Sequence, residues 1–143
     1  MDTQTDTTRP NILLITADDM NWDAVGAFGC PTPATTPNLD QLAADGMRFD
    51  RGHVTIAVCQ PSRSAIMTGR YPHLSGGEGF HRLRRPDVPI LPQLLRDAGY
   101  ATGILGKLGH STPYAEFNWN MMYDMAELGQ GRSPETYYAH TRA

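Results

Sequence analysis

The chain has 143 residues and a formal net charge of -3, with 40% hydrophobic and 19% charged residues. This length and composition predict one folded domain with a core of its own rather than a disordered chain. The mildly acidic balance excludes a general electrostatic attraction to nucleic acid. The longest apolar run, ILLI at 12–15, is far shorter than the roughly 20 residues that cross a bilayer, so no membrane-spanning role is expected.

The N-terminal segment at 1–9, MDTQTDTTR, is polar. We expect it to be disordered and to precede a single domain over 10–143. Because the segment lacks the basic start and apolar stretch of a secretory signal, we expect a cytoplasmic chain. In that compartment the two cysteines, Cys30 and Cys59, give little reason to expect a disulfide.

In the first third of the chain we predict a strand, a helix and a second strand. NILLITADD at 11–19 is a continuous apolar run that ends in Asp18 and Asp19, which favours a strand buried on both faces of a parallel sheet. TPNLDQLAADG at 36–46 predicts a short helix with Thr36 as its N-cap. MRFDRGHVT at 47–55 alternates apolar and polar residues and predicts a second strand.

The signals after Cys59 predict two further helices and a third strand. Pro61 and Gly69 bracket a short helix with Cys59 at its N-terminal end. The segment at 71–89 is rich in Gly and Pro and predicts a long irregular connection. ILPQLLRDAG at 90–99 predicts a helix, and YATGILGK at 100–107 predicts a strand with Lys107 at its carboxyl end. The aromatic segment at 110–140 shows no clear period.

This order of elements predicts an α/β fold in which helices cover a mostly parallel sheet. Ligands of such sheets gather at the carboxyl ends of the strands. Four residues are expected at or near such ends: Asp18, Asp19, Cys59 and Lys107. They are therefore candidates for one shared site.

Each candidate also has an ordinary structural interpretation. Adjacent carboxylates often form turns or caps, although two hard oxygen donors also suit Ca²⁺ or Mg²⁺. Lys107 is the only lysine of the chain, yet a lone exposed lysine after a strand is common. Most free cysteines are small buried hydrophobes. Cys59, however, is predicted at a helix N-terminus with Arg63 nearby, where an anion is favoured; Arg63 follows too closely for a cysteine phosphatase loop.

The segment CQPSRSAIMTG at 59–69 resembles the signature of the type I sulfatases, the formylglycine-dependent, arylsulfatase-like members of the alkaline phosphatase superfamily. Two further motifs fit this family in the same order. They are the paired aspartates Asp18 and Asp19, and the sequence GK at 106–107 followed closely by His110. The resemblance covers about residues 10–110.

The resemblance implies that Cys59 is not used as a thiol. A formylglycine-generating enzyme would recognise Cys59, Pro61 and Arg63 and oxidise the cysteine to an aldehyde, which hydrates. One hydroxyl of the hydrate would attack sulfur and release the alcohol or amine, and the second would help to expel sulfate. Such covalent catalysis divides one difficult displacement into two easier steps.

The resemblance also implies a role for each site residue. Asp18, Asp19 and the modified Cys59 would bind Ca²⁺. Arg63 would stabilise the formylglycine and Lys107 would contact the sulfate. His110, which stands one position later than is common in the family, would be a further catalytic residue. The substrate would be a sulfated small molecule or glycan.

Family sulfatase domains are several times longer than this chain and carry further metal and sulfate ligands in their later part. We therefore expect an N-terminal portion of a sulfatase domain with little or no turnover alone. The segment GKLGHSTPYAEFNW at 106–119 and the arginine-bearing loop before it resemble bacterial relatives of heparan N-sulfatase. Two alternatives remain open: a phosphonate or phosphate monoester hydrolase of the same superfamily, and a non-catalytic remnant derived from a sulfatase.

Overall fold

The computed structural model describes residues 9–80, 87, 89–114 and 116–128. The chain divides into two compact units, Met1–Gly52 and His53–Ala143. Apart from Arg9, the segment predicted to be disordered lies outside the described residues. Within the described ranges, none of the helices combines the length and the apolar character needed to cross a membrane.

The first unit contains one α-helix, α1 (Pro37–Asp45), preceded by two 3-10 turns, Trp22–Ala24 and Gly26–Phe28. The predicted helix is confirmed. Pro37 occupies its first position, where the fixed φ of proline suits the helix and the missing N–H would have no intrahelical partner. Gly46 follows its last residue.

Thr36 is the N-cap residue of α1, as predicted, but its side chain makes no capping hydrogen bond and instead connects α1 to the second 3-10 turn. Its Oγ1 donates to Oδ1 of Asp40 at 3.0 Å and accepts from the N–H of Gly26 at 2.8 Å. The same Asp40 oxygen accepts from the N–H of Ala27 at 2.7 Å. The side chain of Thr36 therefore stabilises a tertiary contact within the first unit. Val25, which directly precedes this turn, is 7% exposed.

The two strands predicted in the first part of the chain, at 11–19 and 47–55, do not form. Leu13 is 83% exposed, and Ile15 and Phe49 are each 72% exposed. A strand requires neighbours that pair with its backbone N–H and C=O groups. Because an apolar run supplies no such partner by itself, the prediction of a buried strand ending in Asp18 and Asp19 is wrong for this structure.

In the second unit four helices and two strands are described. The helices are α2 (Cys59–Thr68), α3 (Pro72–Ser75), α4 (Leu91–Asp97) and α5 (Leu108–Ser111), and the strands are β1 (Gly103–Leu105) and β2 (Met121–Tyr123). The helices predicted after Cys59 and at 90–99 are confirmed as α2 and α4. The strand predicted at 100–107 is confirmed for the three residues of β1.

β1 and β2 form a parallel pair in which Gly103 is opposite Met121 and Leu105 is opposite Tyr123. The connection at 106–120 contains α5, as a parallel pair requires a crossover. A two-stranded parallel sheet with helices is consistent with a sulfatase α/β fold. β2 was not predicted, because its segment shows neither a clear alternation nor flanking turn signals.

The core of the second unit forms around α2, which packs against α3, α4 and α5. Pro61 is fully buried, and Ile90 and Leu128 are each only 3% exposed. Phe117, at 5% exposure, makes edge contacts with the rings of Tyr114 and Trp119 at centroid distances of 5.6 and 4.9 Å. This packing holds α2 and α5 in place.

Candidate active site

Cys59 is the first residue of α2, as the sequence predicted. Its side chain is half-buried and is not in a disulfide, and the same is true of Cys30. The first N–H groups of a helix lack intrahelical partners and carry the positive end of its dipole. Residue 59 therefore lies where negative charge is stabilised.

Arg63 follows Cys59 by four positions on α2, so the two side chains lie on the same face of the helix. Nη1 of Arg63 donates a hydrogen bond of 2.9 Å to Oγ of Ser111, the last residue of α5. α2 and α5 pack against each other. A cation from one helix is thus held by a hydroxyl from the other.

Lys107 stands at the junction between β1 and α5. Gly106 and Lys107 both have left-handed backbone conformations, with φ of 71° and 44°, and α5 begins at Leu108. The N–H of Gly106 donates to the carbonyl of Tyr123 in β2 at 2.7 Å. A left-handed conformation costs a residue other than glycine about 1–2 kcal/mol, and such strain concentrates at functional sites.

His110 lies in α5, where its N–H donates to the Lys107 carbonyl at 3.2 Å. Its ring is tilted by 57° against the ring of Phe80, with the centroids 5.7 Å apart. Nδ1 of His110 is buried and has no hydrogen-bond partner in the part of the chain that the structure describes. The late position of His110 after Lys107 thus places it on the first turn of α5, packed against an aromatic ring.

Ser111 is a residue that the sequence did not single out. It is 6% exposed, and its N–H donates to the Lys107 carbonyl at 3.2 Å. Its segment carries no periodic or motif signal. The contact with Arg63 depends on how α2 and α5 pack, and no local pattern could have indicated it.

Asp18 and Asp19 belong to the first unit, where they form a bend. Both side chains are exposed, and Asp19 has a left-handed backbone conformation with φ of 51°. Aspartate tolerates this conformation better than most residues, because its short polar side chain can bond locally. The bend presents two consecutive carboxylates to solvent.

Four of the six predicted site residues therefore lie on the second unit, within α2, within α5 or at the N-cap position of α5. They are Cys59, Arg63, Lys107 and His110. The other two, the paired aspartates, lie on the first unit. α2 offers a helix N-terminus and the cation Arg63, and α5, which packs against α2, has the cation Lys107 at its N-cap position. Groups of this kind suit an anionic ligand.

The sulfatase family model matches residues 10–139. The chain is 47% identical to arylsulfatase A of Bos taurus over 104 residues, which is 68% of this chain and 20% of that protein. It is 42% identical to N-acetylgalactosamine-6-sulfatase of Canis lupus familiaris over 116 residues, which is 71% of this chain and 22% of that protein. It is 41% identical to arylsulfatase G of Canis lupus familiaris over 113 residues, which is 74% of this chain and 21% of that protein.

The chain belongs to the sulfatase family, which the extent of the family match establishes. The resemblance drawn from the motifs at 18–19, 59–69 and 106–110 is therefore confirmed at the level of the family. The chain spans about a fifth of the length of the curated relatives that it matches.

Proposed function

We propose that this chain supplies the nucleophile and part of the sulfate-binding site of a sulfuric ester hydrolase. The observation that carries the proposal is the packing of α2, which bears Cys59 and Arg63, against α5, which follows directly after Lys107. In this proposal residues 10–143 are the N-terminal part of a catalytic domain built on a mostly parallel sheet covered by helices.

Arg63 and Lys107 would bind the sulfate group of the substrate. A sulfate ester carries diffuse negative charge, and more charge develops on the leaving oxygen as the S–O bond breaks. Fixed cations stabilise such charge without having to reorganise during the reaction. Both side chains are half-buried, which strengthens their interaction with an anion relative to bulk water.

Residue 59 would supply the nucleophile after oxidation of its thiol to formylglycine. The sequence Cys59, Gln60, Pro61, Ser62, Arg63 has the Cys-X-Pro-X-Arg form that the modification requires. At the first position of α2, the dipole of the helix would stabilise the negative charge of an attacking oxygen. The formylglycine-generating enzyme is thus an implied partner of this chain.

Asp18 and Asp19 fit a Ca²⁺ ion by the chemistry of their donors, since two consecutive exposed carboxylates supply the hard oxygen ligands that Ca²⁺ prefers. When bound, Ca²⁺ would supply positive charge that polarises the sulfate and lowers the pKa of a hydroxyl. That residue 59 completes this ligand set remains a prediction from the resemblance.

We propose a sulfated small molecule or glycan as the substrate. The name of one relative, N-acetylgalactosamine-6-sulfatase, refers to a sulfated sugar. None of these three relatives is named as a heparan N-sulfatase, so the similarity of the segment at 106–119 to that group receives no support from them. The substrate class is accordingly no narrower than a sulfate ester or sulfamate.

The test begins with the chemical state of residue 59. The chain is produced together with a formylglycine-generating enzyme and digested with trypsin, and the peptide at 52–63 is weighed. We expect the aldehyde in the native chain and the intact thiol in Arg63→Lys, which keeps the charge and the trypsin site but removes the recognised arginine. An unmodified Cys59 thiol in the native chain would contradict the proposal that residue 59 supplies a formylglycine nucleophile.

Because little or no turnover is expected of this chain alone, turnover of an aryl sulfate and of the matching aryl phosphate is then compared on a full-length protein that contains the modified chain. Faster cleavage of the sulfate supports the sulfatase, and faster cleavage of the phosphate favours the phosphate monoester hydrolase. An aldehyde with neither turnover nor sulfate binding would identify a non-catalytic remnant of the family.

A further inference from the structure

We propose that Ser111 is a positioning residue that orients the Arg63 guanidinium for the sulfate group; this inference rests on the proposed function. Nη1 of Arg63 donates to Oγ of Ser111 at 2.9 Å, across 48 positions of sequence. Ser111 contacts no atom that reacts in the proposed chemistry. It acts through Arg63.

The hydrogen bond to Ser111 restrains the plane of the guanidinium. Arginine has a long, flexible side chain that ends in a rigid planar fork with five N–H donors. Binding one terminal nitrogen to a second helix stops rotation of the fork about its own bonds. Hydrogen bonds from the guanidinium to an anion such as sulfate depend on the direction of its N–H groups. A guanidinium that is already oriented before the anion arrives therefore favours binding.

Ser111 is a suitable anchor because it is itself held in place. It is 6% exposed, which limits replacement of its hydroxyl by water. Its N–H donates to the carbonyl of Lys107 at 3.2 Å. The residue that holds Arg63 is thus bonded to the residue proposed to contact the sulfate, and one four-residue helix, α5, sets the backbone position of Lys107 and the plane of Arg63 together.

The experiment compares the native chain with Ser111→Ala, Ser111→Thr and Ser75→Ala. Ser75 is a matched control, since it also ends a four-residue helix, α3, and its hydroxyl bonds only locally, to the Pro72 carbonyl at 3.3 Å. Alanine is smaller than serine, so Ser111→Ala does not overpack the site. Circular dichroism and unfolding curves establish that each variant folds.

The first readout is rotation of the Arg63 guanidinium, followed by NMR of arginine-labelled chain with the Arg63 signals assigned by Arg63→Lys. In the native chain we expect slow, resolved rotation at Nη1. In Ser111→Ala we expect fast, averaged rotation, whereas Ser75→Ala leaves it slow and Ser111→Thr restores it. Averaged signals in the native chain, or slow rotation that persists in Ser111→Ala, would overturn the inference whatever happens to activity.

The second readout is the affinity of the same samples for inorganic sulfate, measured by titration calorimetry. We expect Ser111→Ala to weaken binding about three- to tenfold, the factor that corresponds to the net contribution of one hydrogen bond, with Ser111→Thr and Ser75→Ala close to native. If the guanidinium of Arg63 rotates freely in Ser111→Ala but the affinity for sulfate is unchanged, the positioning role of Ser111 is overturned. Slow rotation in a native chain that binds no sulfate would overturn the proposed function while leaving the hydrogen bond established, so the two failures are distinguishable.

Discussion

Gly106 and Lys107 stand next to each other in the left-handed region of backbone space, with φ of 71° and 44°. Together they turn the chain from the end of β1 into the start of α5. Glycine adopts this conformation readily, whereas lysine does so at a steric cost. The only lysine of the chain is therefore retained at a position where its own backbone is strained.

Gly106→Ala should destabilise the second unit. A Cβ at this position would have an unfavourable φ and would lie 3.0 Å from Sδ of Met125, so we expect a loss of about 1–2 kcal/mol in the free energy of unfolding. The control is Gly109→Ala in α5, where a Cβ meets nothing within 4 Å and should stabilise by roughly 0.5–1 kcal/mol. Urea unfolding curves measure the free energy of unfolding of both variants. If Gly106→Ala and Gly109→Ala change it equally, the turn at Gly106 has no special role in stability.

Lys107→Gly should be more stable than Lys107→Ala. Both variants lose the same ammonium group and its contacts, but only glycine relieves the strain of the left-handed backbone. The free energy of unfolding of the glycine variant should therefore be higher than that of the alanine variant by about 1 kcal/mol. Unfolding curves of the two variants measure it directly. Under the proposed function both variants should also bind inorganic sulfate more weakly than the native chain. An alanine variant as stable as the glycine variant would show that the strain is negligible.

Asp19→Asn should weaken Ca²⁺ binding by at least about tenfold, since even loss of an outer partner of a metal ligand commonly costs that much. Asparagine accepts the left-handed backbone of this position (φ 51°), so the fold is not disturbed. The control is Asp23→Asn, an exposed acid in the first 3-10 turn, which changes the net charge equally. Titration calorimetry with Ca²⁺ compares them, and equal losses would indicate general charge attraction instead of a specific site.

Phe117→Ala should destabilise the second unit by about 3–5 kcal/mol, the range typical of removing a buried phenylalanine. Phe117 is 5% exposed, and the Arg96 guanidinium lies 4.9 Å from its ring centroid. Phe80→Ala is the matched control, because Phe80 is 65% exposed and contacts only the His110 ring among the described aromatic pairs; its cost should stay within about 0.5 kcal/mol. Thermal unfolding, monitored by tryptophan fluorescence, would separate the two variants. Similar unfolding midpoints would show that Phe117 is not part of the core that stabilises the second unit.

Helices were predicted well because their signals are local. Pro37 at a first helical position and Gly46 and Gly69 after last ones act through backbone conformation and hydrogen bonds within a few residues. The position of Cys59 at the start of α2, with Arg63 one turn later, follows from the same short-range rules. The family signature lies within this one helix and the glycine that ends it.

Strands and cross-helix contacts were decided by the tertiary structure. The apolar run at 12–15 and the alternating segment at 47–55 are exposed and form no strand, whereas β2, in a segment with no strand signal, pairs with β1. Thr36 occupies the predicted N-cap position, but the partners of its side chain, Gly26 and Asp40, were not indicated by the sequence.

The sequence alone therefore determined where α1, α2 and α4 lie, which face of α2 carries Cys59 and Arg63, and the family to which the chain belongs. It did not indicate the four-residue helices α3 and α5. The tertiary structure alone decided which segments pair as strands and that Ser111 holds Arg63. The physical reason is the range of the interactions. Helix hydrogen bonds and caps join residues within about four positions, whereas strand pairing and side-chain contacts between helices depend on partners that only the folded chain brings close.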